Sequence, residues 1–388
     1  MEPAKIRIYA FDTLRTVMVL LGLVIHASII YNSNVFNNAI FFNDPKSHTP
    51  FFNVLADGIH IFRMPVFYTL SGFFTALIFF ERGKKTLVQN RLHRLVYPFI
   101  AGLLVLLPLH LFSLNFFAVC LSGTQDISDA FVSAAKRIRL HDADTIHLWF
   151  IYYLIWFCAS AYLLSYVVNR WFPNIAKPFF ENFRKLFHLG IAPAILAVPT
   201  AICLYFMDTY DIKAEHSFLI HGGFFVNYGL YFFFGWLCYG LRNELNRFEK
   251  NAWLYLTLGL ALYVLRWALF LQYPEAVPGN LNSLLIILLA FTTWFFVFGI
   301  IGCFIKHFNN PSKVSKYISD GSYWIYLIHM PIVLVLQALL LRYDLSAFIK
   351  FTIVLIVTLS ITILSYNYLV RNTFIGQFLN GRKYPRAF

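Results

Sequence analysis

Apolar stretches of about 18 residues or more recur along the chain, near 10–31, 57–80, 95–121, 147–168, 186–206, 223–240, 252–272, 282–305, 322–341 and 348–370. Each is long enough to cross a bilayer as a helix. The pattern predicts an all-α fold, a polytopic integral membrane bundle of about ten transmembrane helices. The longest segments between spans are 32–56 and 122–146, and the second carries Asp126, Asp129, Asp142 and Asp144. No repeat of fixed period, low-complexity stretch or soluble insert interrupts the pattern, so the expectation is a single transmembrane domain over 1–388.

Composition agrees with a lipid setting. Of 388 residues, 59% are hydrophobic and only 13% charged, against roughly 25% charged in soluble chains. Aromatic residues reach 19%, which suits lipid-facing surfaces and interfacial belts. The formal net charge of +13 would suggest nucleic acid in a soluble protein. Here no basic run is long enough for that, and the partner it implies is the anionic lipid surface. The Lys and Arg residues give the orientation. With the N-terminus, the loops after spans two, four, six and eight, and the C-terminus on one side, that side holds 21 of the 31; the other side holds 7, and Arg15, Arg63 and Arg266 lie within spans. Both termini are therefore expected in the cytoplasm. The first span contains charges and lacks a small-residue cleavage site, so it is expected to be retained as a helix. Cys120, Cys158, Cys203, Cys238 and Cys303 form no CxxC pair and read as small buried hydrophobes.

The informative positions are the ionisable ones inside the spans. Arg15 and His26 share the first span with Asp12. A charge at the centre of a membrane helix costs roughly 2.5–3.5 kcal/mol, and it persists where it faces a protein interior or wet cavity. Eleven residues at about 100° each place Arg15 and His26 on one face, roughly 16 Å apart, with Asp12 and Gly22 on the same side. The second span carries Asp57, His60 and Arg63 at every third position, a stripe continuing toward Ser71 and Thr75. Pro65 frees a carbonyl there, and Ser71-Gly72 permits close backbone approach. The plain structural reading of Asp57 and Arg63 is an ion pair between helices. The fourth span opens with His147-Leu148-Trp149, and the ninth places Ser322, Tyr326 and His329 on one face ahead of Pro331. A single histidine in such a helix is usually a hydrogen-bonded core residue; histidines on four spans together point to chemistry. No HxxxH or HExxH spacing suggests a metal, and no GxSxG elbow, phosphate-binding loop or dinucleotide fingerprint occurs. His141 and Asp142 read as surface polars of a loop.

Taken alone, these residues suit a membrane enzyme and a proton-coupled transporter or flippase equally. A third reading is a structural partner whose polar residues only bind neighbouring proteins. Their order is more specific. Arg15 with His26 eleven residues on, Phe62-Arg63-Met64-Pro65-Val66-Phe67 leading to Ser71-Gly72-Phe73, Arg91-Leu92-His93-Arg94 with Pro98, His147-Leu148-Trp149-Phe150, and Tyr326-Leu327-Ile328-His329-Met330-Pro331 together resemble the acyltransferase-3 family of membrane proteins. The loop layout resembles that of the members that succinylate osmoregulated periplasmic glucans. Where the family often places Glu after the last helix, this chain has Arg371. The resemblance implies an inner-membrane O-acyltransferase that moves succinyl or acetyl from cytoplasmic acyl-CoA, a co-substrate rather than a tightly bound cofactor, to a carbohydrate hydroxyl beyond the membrane. On that reading His26 is the general base or proton relay, with an acyl-His26 intermediate as a variant, and Arg15 is its catalytic partner. Arg63, Asp57 and His60 belong to donor binding or the oxyanion site. His147, Trp149, Tyr326 and His329 line the acceptor channel. The basic segment Arg82–Arg94 meets the CoA phosphates or simply anchors the inner face.

Overall fold

The computed structural model describes residues 8–33, 43–124, 126–139, 144–211, 214–273 and 277–385. Lys5, Arg7, His141, Asp142, Lys213 and Arg386, which entered the charge and loop arguments above, lie outside the described residues. Among the described residues there is no strand, and the chain is a helical bundle as its periodicity predicts.

Four helices form the first half: α1 (Tyr9–Ser28), α2 (Pro50–Arg82), α3 (Lys84–Arg91) running through a π-helical turn into α4 (Tyr97–Leu121), and α6 (Trp149–Trp171), with the short α5 (Ile127–Lys136) between α4 and α6. The second half comprises α7 (Ala176–His188), α8 (Ala192–Phe206), α9 (Gly222–Gly240), α10 (Arg247–Lys250), α11 (Ala252–Phe270), α12 (Gly279–His307), α13 (Lys313–Leu340), α14 (Ala347–Ser365) and α15 (Phe374–Asn380). Among the described residues eight helices are long and apolar enough to cross a membrane, and two bent pairs bring the number to ten if each pair is one span.

Several helices begin before their apolar stretch does. Thr49 caps α2 through the Phe51 N–H, and Pro50 occupies its first turn, so the helix starts seven residues before the expected 57. Ser312 caps α13 through the Ser315 N–H in the same way. The expected span 186–206 needs correction. Gly190 adopts φ +69°, which ends α7, and α8 leaves at 115° to it. α7 buries Phe183 and Phe187 and carries Lys177, Arg184 and Lys185, the composition of a helix lying along the bundle's end. The 122–146 segment is not a plain loop either. Asp126 caps α5, and the Asp129 and Ser128 N–H groups that donate to it hold its carboxyl below the usual range.

Two features set the cavity described below. First, α2 and α9 cross with backbones touching: a Cβ on Gly72 would overlap the Phe232 carbonyl, and one on Gly235 the Thr69 carbonyl. The aromatic core around Phe157, Tyr231, Phe234 and Trp294 gathers on that side. Second, α1 packs between α2 and α13, while α4 packs on the other side of α13. Asn309 beyond α12 accepts from the Ala10 N–H, and Arg94 donates to the Leu379 carbonyl, so both ends of the described chain sit at the same end of the bundle, here called the near end. At the far end Lys350 of α14 meets Asp44 at 2.6 Å, with both side chains buried.

Candidate functional site

Nine polar or aromatic residues singled out in the sequence, Arg15, His26, Asp57, His60, Arg63, His147, Trp149, Tyr326 and His329, all line one cavity of about 1950 Å³. Helical periodicity explains the convergence. α1 presents Asp12, Arg15, Val19, Gly22 and His26; α2 presents Asp57, His60, Arg63, Phe67, Ser71 and Thr75; α13 presents Ser322, Tyr326 and His329. The lining runs from Asp12 and Arg82 at the near end to Asn32, Asp57 and Asp144 at the far end, so the cavity extends along the whole bundle.

The near mouth is rich in arginine: Arg15, Arg82, Arg91, Arg94 and Arg382 line it, with Asp12, Glu81 and Asp320 as the acids. Arg15 Nη2 lies 3.3 Å from the Asp12 carboxylate and donates to Ser319 Oγ at 2.6 Å, which ties the start of α1 to α13. Arg91 donates to Thr75 at 2.8 Å. Arg382 and Tyr384 form part of this wall, where Tyr384 donates to Asp320 at 3.0 Å and Arg382 lies over the Tyr384 ring.

At the waist, Arg63 of α2 reaches across to α1. Its guanidinium occupies the space that a side chain at residue 22 would fill, so Gly22 is what admits it. Arg63 is 9% exposed, and its Nε has no partner. Gly22 is four residues from His26, about 6 Å along the axis, so Arg63 and His26 are neighbours. Arg63, His60, His147 and His329 all lie within electrostatic reach of the His26 ring. The His26 and His329 ring centres are 5.2 Å apart, and those of His329 and His147 are 5.3 Å apart. Gln337 donates to the His26 carbonyl at 3.0 Å and to that of Ala27 at 3.3 Å, which docks the end of α1 against α13.

His147 is set by an unusual turn. Ile146, a β-branched residue, sits at φ +45°, a conformation such residues rarely adopt. The Asp144 carboxylate accepts the Ile146 N–H at 2.6 Å, His216 Nδ1 donates to the Ile146 carbonyl at 2.7 Å, and the Thr145 N–H donates to the His216 carbonyl at 2.7 Å. His147 Nε2 then reaches the Leu327 carbonyl at 2.9 Å, while Tyr326 donates to the His147 carbonyl at 2.5 Å. Trp149 packs on Tyr228, with ring centres 5.6 Å apart.

The structure corrects one pairing. Asp57 does not pair with Arg63. It accepts from Arg266 at 2.8 Å and from the Trp267 indole at 2.7 Å, near the far mouth. Arg266 was one of three arginines within spans, and a carboxylate offsets part of the cost of burying one; Asp57 is that partner for Arg266, which leaves Arg63 to the waist. Beside this pair, burial pushes the Tyr210 phenol up, the Asp211 charge adds to this and Arg266 opposes it. Two site residues escaped the sequence reading. His110 of α4 is 8% exposed, with its ring 6.1 Å from that of His147, and Gln337 is 1% exposed. Both are isolated polar residues in apolar spans, the same signal that pointed to His26.

The profile of the acyltransferase domain that defines the acyltransferase-3 family matches residues 8–367. Glucans biosynthesis protein C from a strain of Escherichia coli is 23% identical over 317 residues, covering 80% of this chain and 63% of that protein. The protein of the same name from Salmonella heidelberg is 24% identical over 385 residues, covering 97% of this chain and 95% of its own length. No solved structure matches the chain.

Proposed function

The chain belongs to the acyltransferase-3 family, and from that premise we propose that it carries an acyl group, succinyl or acetyl, from acyl-CoA at the arginine-lined mouth to a hydroxyl of a glucan reaching in from the other mouth. One observation carries this reading: a single cavity joins the two ends of the bundle, with His26 and Arg63 between them. The similar proteins are named for glucan biosynthesis, which is the ground for a glucan acceptor. The excess of Lys and Arg at the near end supports placing that end in the cytoplasm, where CoA is available. Arginine suits its phosphates, which it binds through paired N–H groups.

The reaction needs a base, an oxyanion partner and a leaving-group path. His26 takes the proton of the acceptor hydroxyl as its oxygen attacks the thioester carbonyl. Arg63 stabilises the negative charge that develops on the carbonyl oxygen. The C–S bond then breaks, the ester is complete, and the CoA thiolate takes the proton from His26 and leaves toward the near mouth, which returns His26 to its basic form. A succinyl donor would also present a carboxylate, for which Arg15 is the nearest unburied cation on the same face of α1 as His26.

Mass spectrometry of envelope glucans from cells with the gene, without it, and with a His26→Ala copy tests the proposal. An acyl increment that needs His26 supports it, and the size of the increment names the donor. A cavity lined from end to end also suits a proton-coupled transporter or flippase, and identical glucan masses in all three strains would favour that reading.

A further inference from the structure

Histidine hydrogen bonds at the waist determine what the cavity is built to receive. His329 Nδ1 faces two backbone carbonyls, that of Tyr326 at 2.7 Å and that of Ile325 at 3.2 Å. A carbonyl only accepts, so Nδ1 carries the hydrogen, and in the neutral ring Nε2 carries the lone pair. His147 is fixed in the opposite sense: Nε2 donates to the Leu327 carbonyl at 2.9 Å, and Nδ1 carries the lone pair. Both lone-pair nitrogens are buried and have no partner, as is Nδ1 of the neighbouring His110. The three residues are 4%, 5% and 8% exposed, and all line the cavity. Buried acceptors without donors are costly. A metal does not answer the need, because no three described His, Cys, Asp or Glu side chains gather as a metal-binding group. An anion brings further acceptors and no hydrogens. A ligand presenting several O–H donors answers it.

We propose that His147 and His329, with His110 behind His147, form a receptor for neighbouring hydroxyl groups of a neutral sugar, accepting their hydrogens at His147 Nδ1 and His329 Nε2. Two rings 5.3 Å apart suit two adjacent hydroxyls of one pyranose. The His26 ring lies 5.2 Å beyond that of His329, so a third hydroxyl is delivered to the base. This last point rests on the acyl-transfer reading, whereas the binding does not. The charged and titratable groups facing the pair from other elements are Arg63 of α2 and His26 of α1 beside His329, and His110 of α4 and His216 beside His147, with Tyr326 one turn before His329 on α13. None of these groups hydrogen-bonds His147 Nδ1 or His329 Nε2, so both lone pairs are left for a ligand.

The test is binding without any acyl donor. The full chain, purified in detergent, is titrated calorimetrically with a glucose disaccharide, with its single-deoxy analogues and with the corresponding glucuronic acid disaccharide. We expect at least one deoxy analogue and the acid to bind about tenfold or more weakly than the parent. His147→Phe and His329→Phe, which keep the ring and remove the lone pair, should weaken the parent similarly and abolish the difference between parent and deoxy sugar; His147→Gln, which keeps an acceptor, should restore part of the binding. If the Phe variants are not monodisperse, the deoxy series on the unaltered protein decides alone. Equal binding of all deoxy analogues, tighter binding of the acid, or an unchanged deoxy penalty in the Phe variants would overturn the proposal. Normal disaccharide binding by a protein that forms no ester would instead remove the transferase reading and leave the receptor standing.

Discussion

Gly22→Ala adds one methyl group at the waist, and the structure says where the cost falls. The new Cβ would overlap Arg63 Nη1. Restoring an ordinary contact of about 3.5 Å requires the guanidinium to retreat by about 1 Å or more. A misplacement of about 1 Å in a catalytic group costs on the order of 10²-fold in turnover, which corresponds to about 2.7 kcal/mol of barrier. Stability should not follow, because the displaced group is the end of a flexible side chain and Ala is a better helix former than Gly by roughly 0.5–1 kcal/mol. The assay is glucan acylation by membranes containing the variant, with melting followed by size-exclusion chromatography. Arg63→Ala alone should lower turnover by 10² to 10³, the usual loss for one oxyanion donor. Adding Gly22→Ala to Arg63→Ala should then lower it no further. Turnover within threefold of the parent for Gly22→Ala, or losses that multiply in the double variant, would refute the argument that Gly22 exists to seat Arg63.

Three other outcomes are expected. Asp44→Asn or Lys350→Met leaves one buried charge of the far-end pair unmatched and should cost about 3–5 kcal/mol, while Asp44→Leu combined with Lys350→Met should recover most of it; denaturation of the purified variants checks this. Gly235→Ala pushes a methyl into the Thr69 carbonyl and should cost about 1–3 kcal/mol, seen as a lower melting temperature with no change in KM for the donor. Arg82→Gln and Arg382→Gln, exposed at the near mouth, should each raise the donor KM roughly two- to fivefold and leave the acceptor KM unchanged, with the effect fading at high salt.

The bundle was legible because the bilayer imposes its length on every span, and nearly all of the site was legible because ionisable residues in such spans must face something polar. Arg15, His26, Arg63 and His329 stood out on that ground alone. His110 obeys the same rule and was missed, since an apolar helix with one histidine beside Pro108 reads as packing. Pairing was less legible than position. Asp57 and Arg63 lie six residues apart on one helix, and nothing local indicates that Asp57 turns to Arg266, which is 209 residues away. The break at Gly190 was hidden for a different reason: hydropathy counts apolar residues and does not register a positive φ. The early starts of α2 and α13 were signalled by Thr49-Pro50 and Ser312, side chains that act through hydrogen bonds rather than through hydropathy.

A passage lined from one end to the other is a hazard in a membrane that stores energy as an ion gradient. The acids of its lining are confined to the mouths: Asp12, Glu81 and Asp320 at one end, Asp57, Asp144, Asp208 and Asp211 at the other. Between them lie Arg63 and a group of imidazoles. A fixed guanidinium in a narrow polar passage repels hydronium and metal cations, as charged constrictions do in channels that conduct neutral solutes. The group proposed to serve the oxyanion is therefore also placed to insulate the membrane. Vesicles carrying the protein should hold a pH difference, and vesicles carrying Arg63→Ala should lose it faster, a loss unrelated to catalysis that dye fluorescence would register in the absence of any substrate.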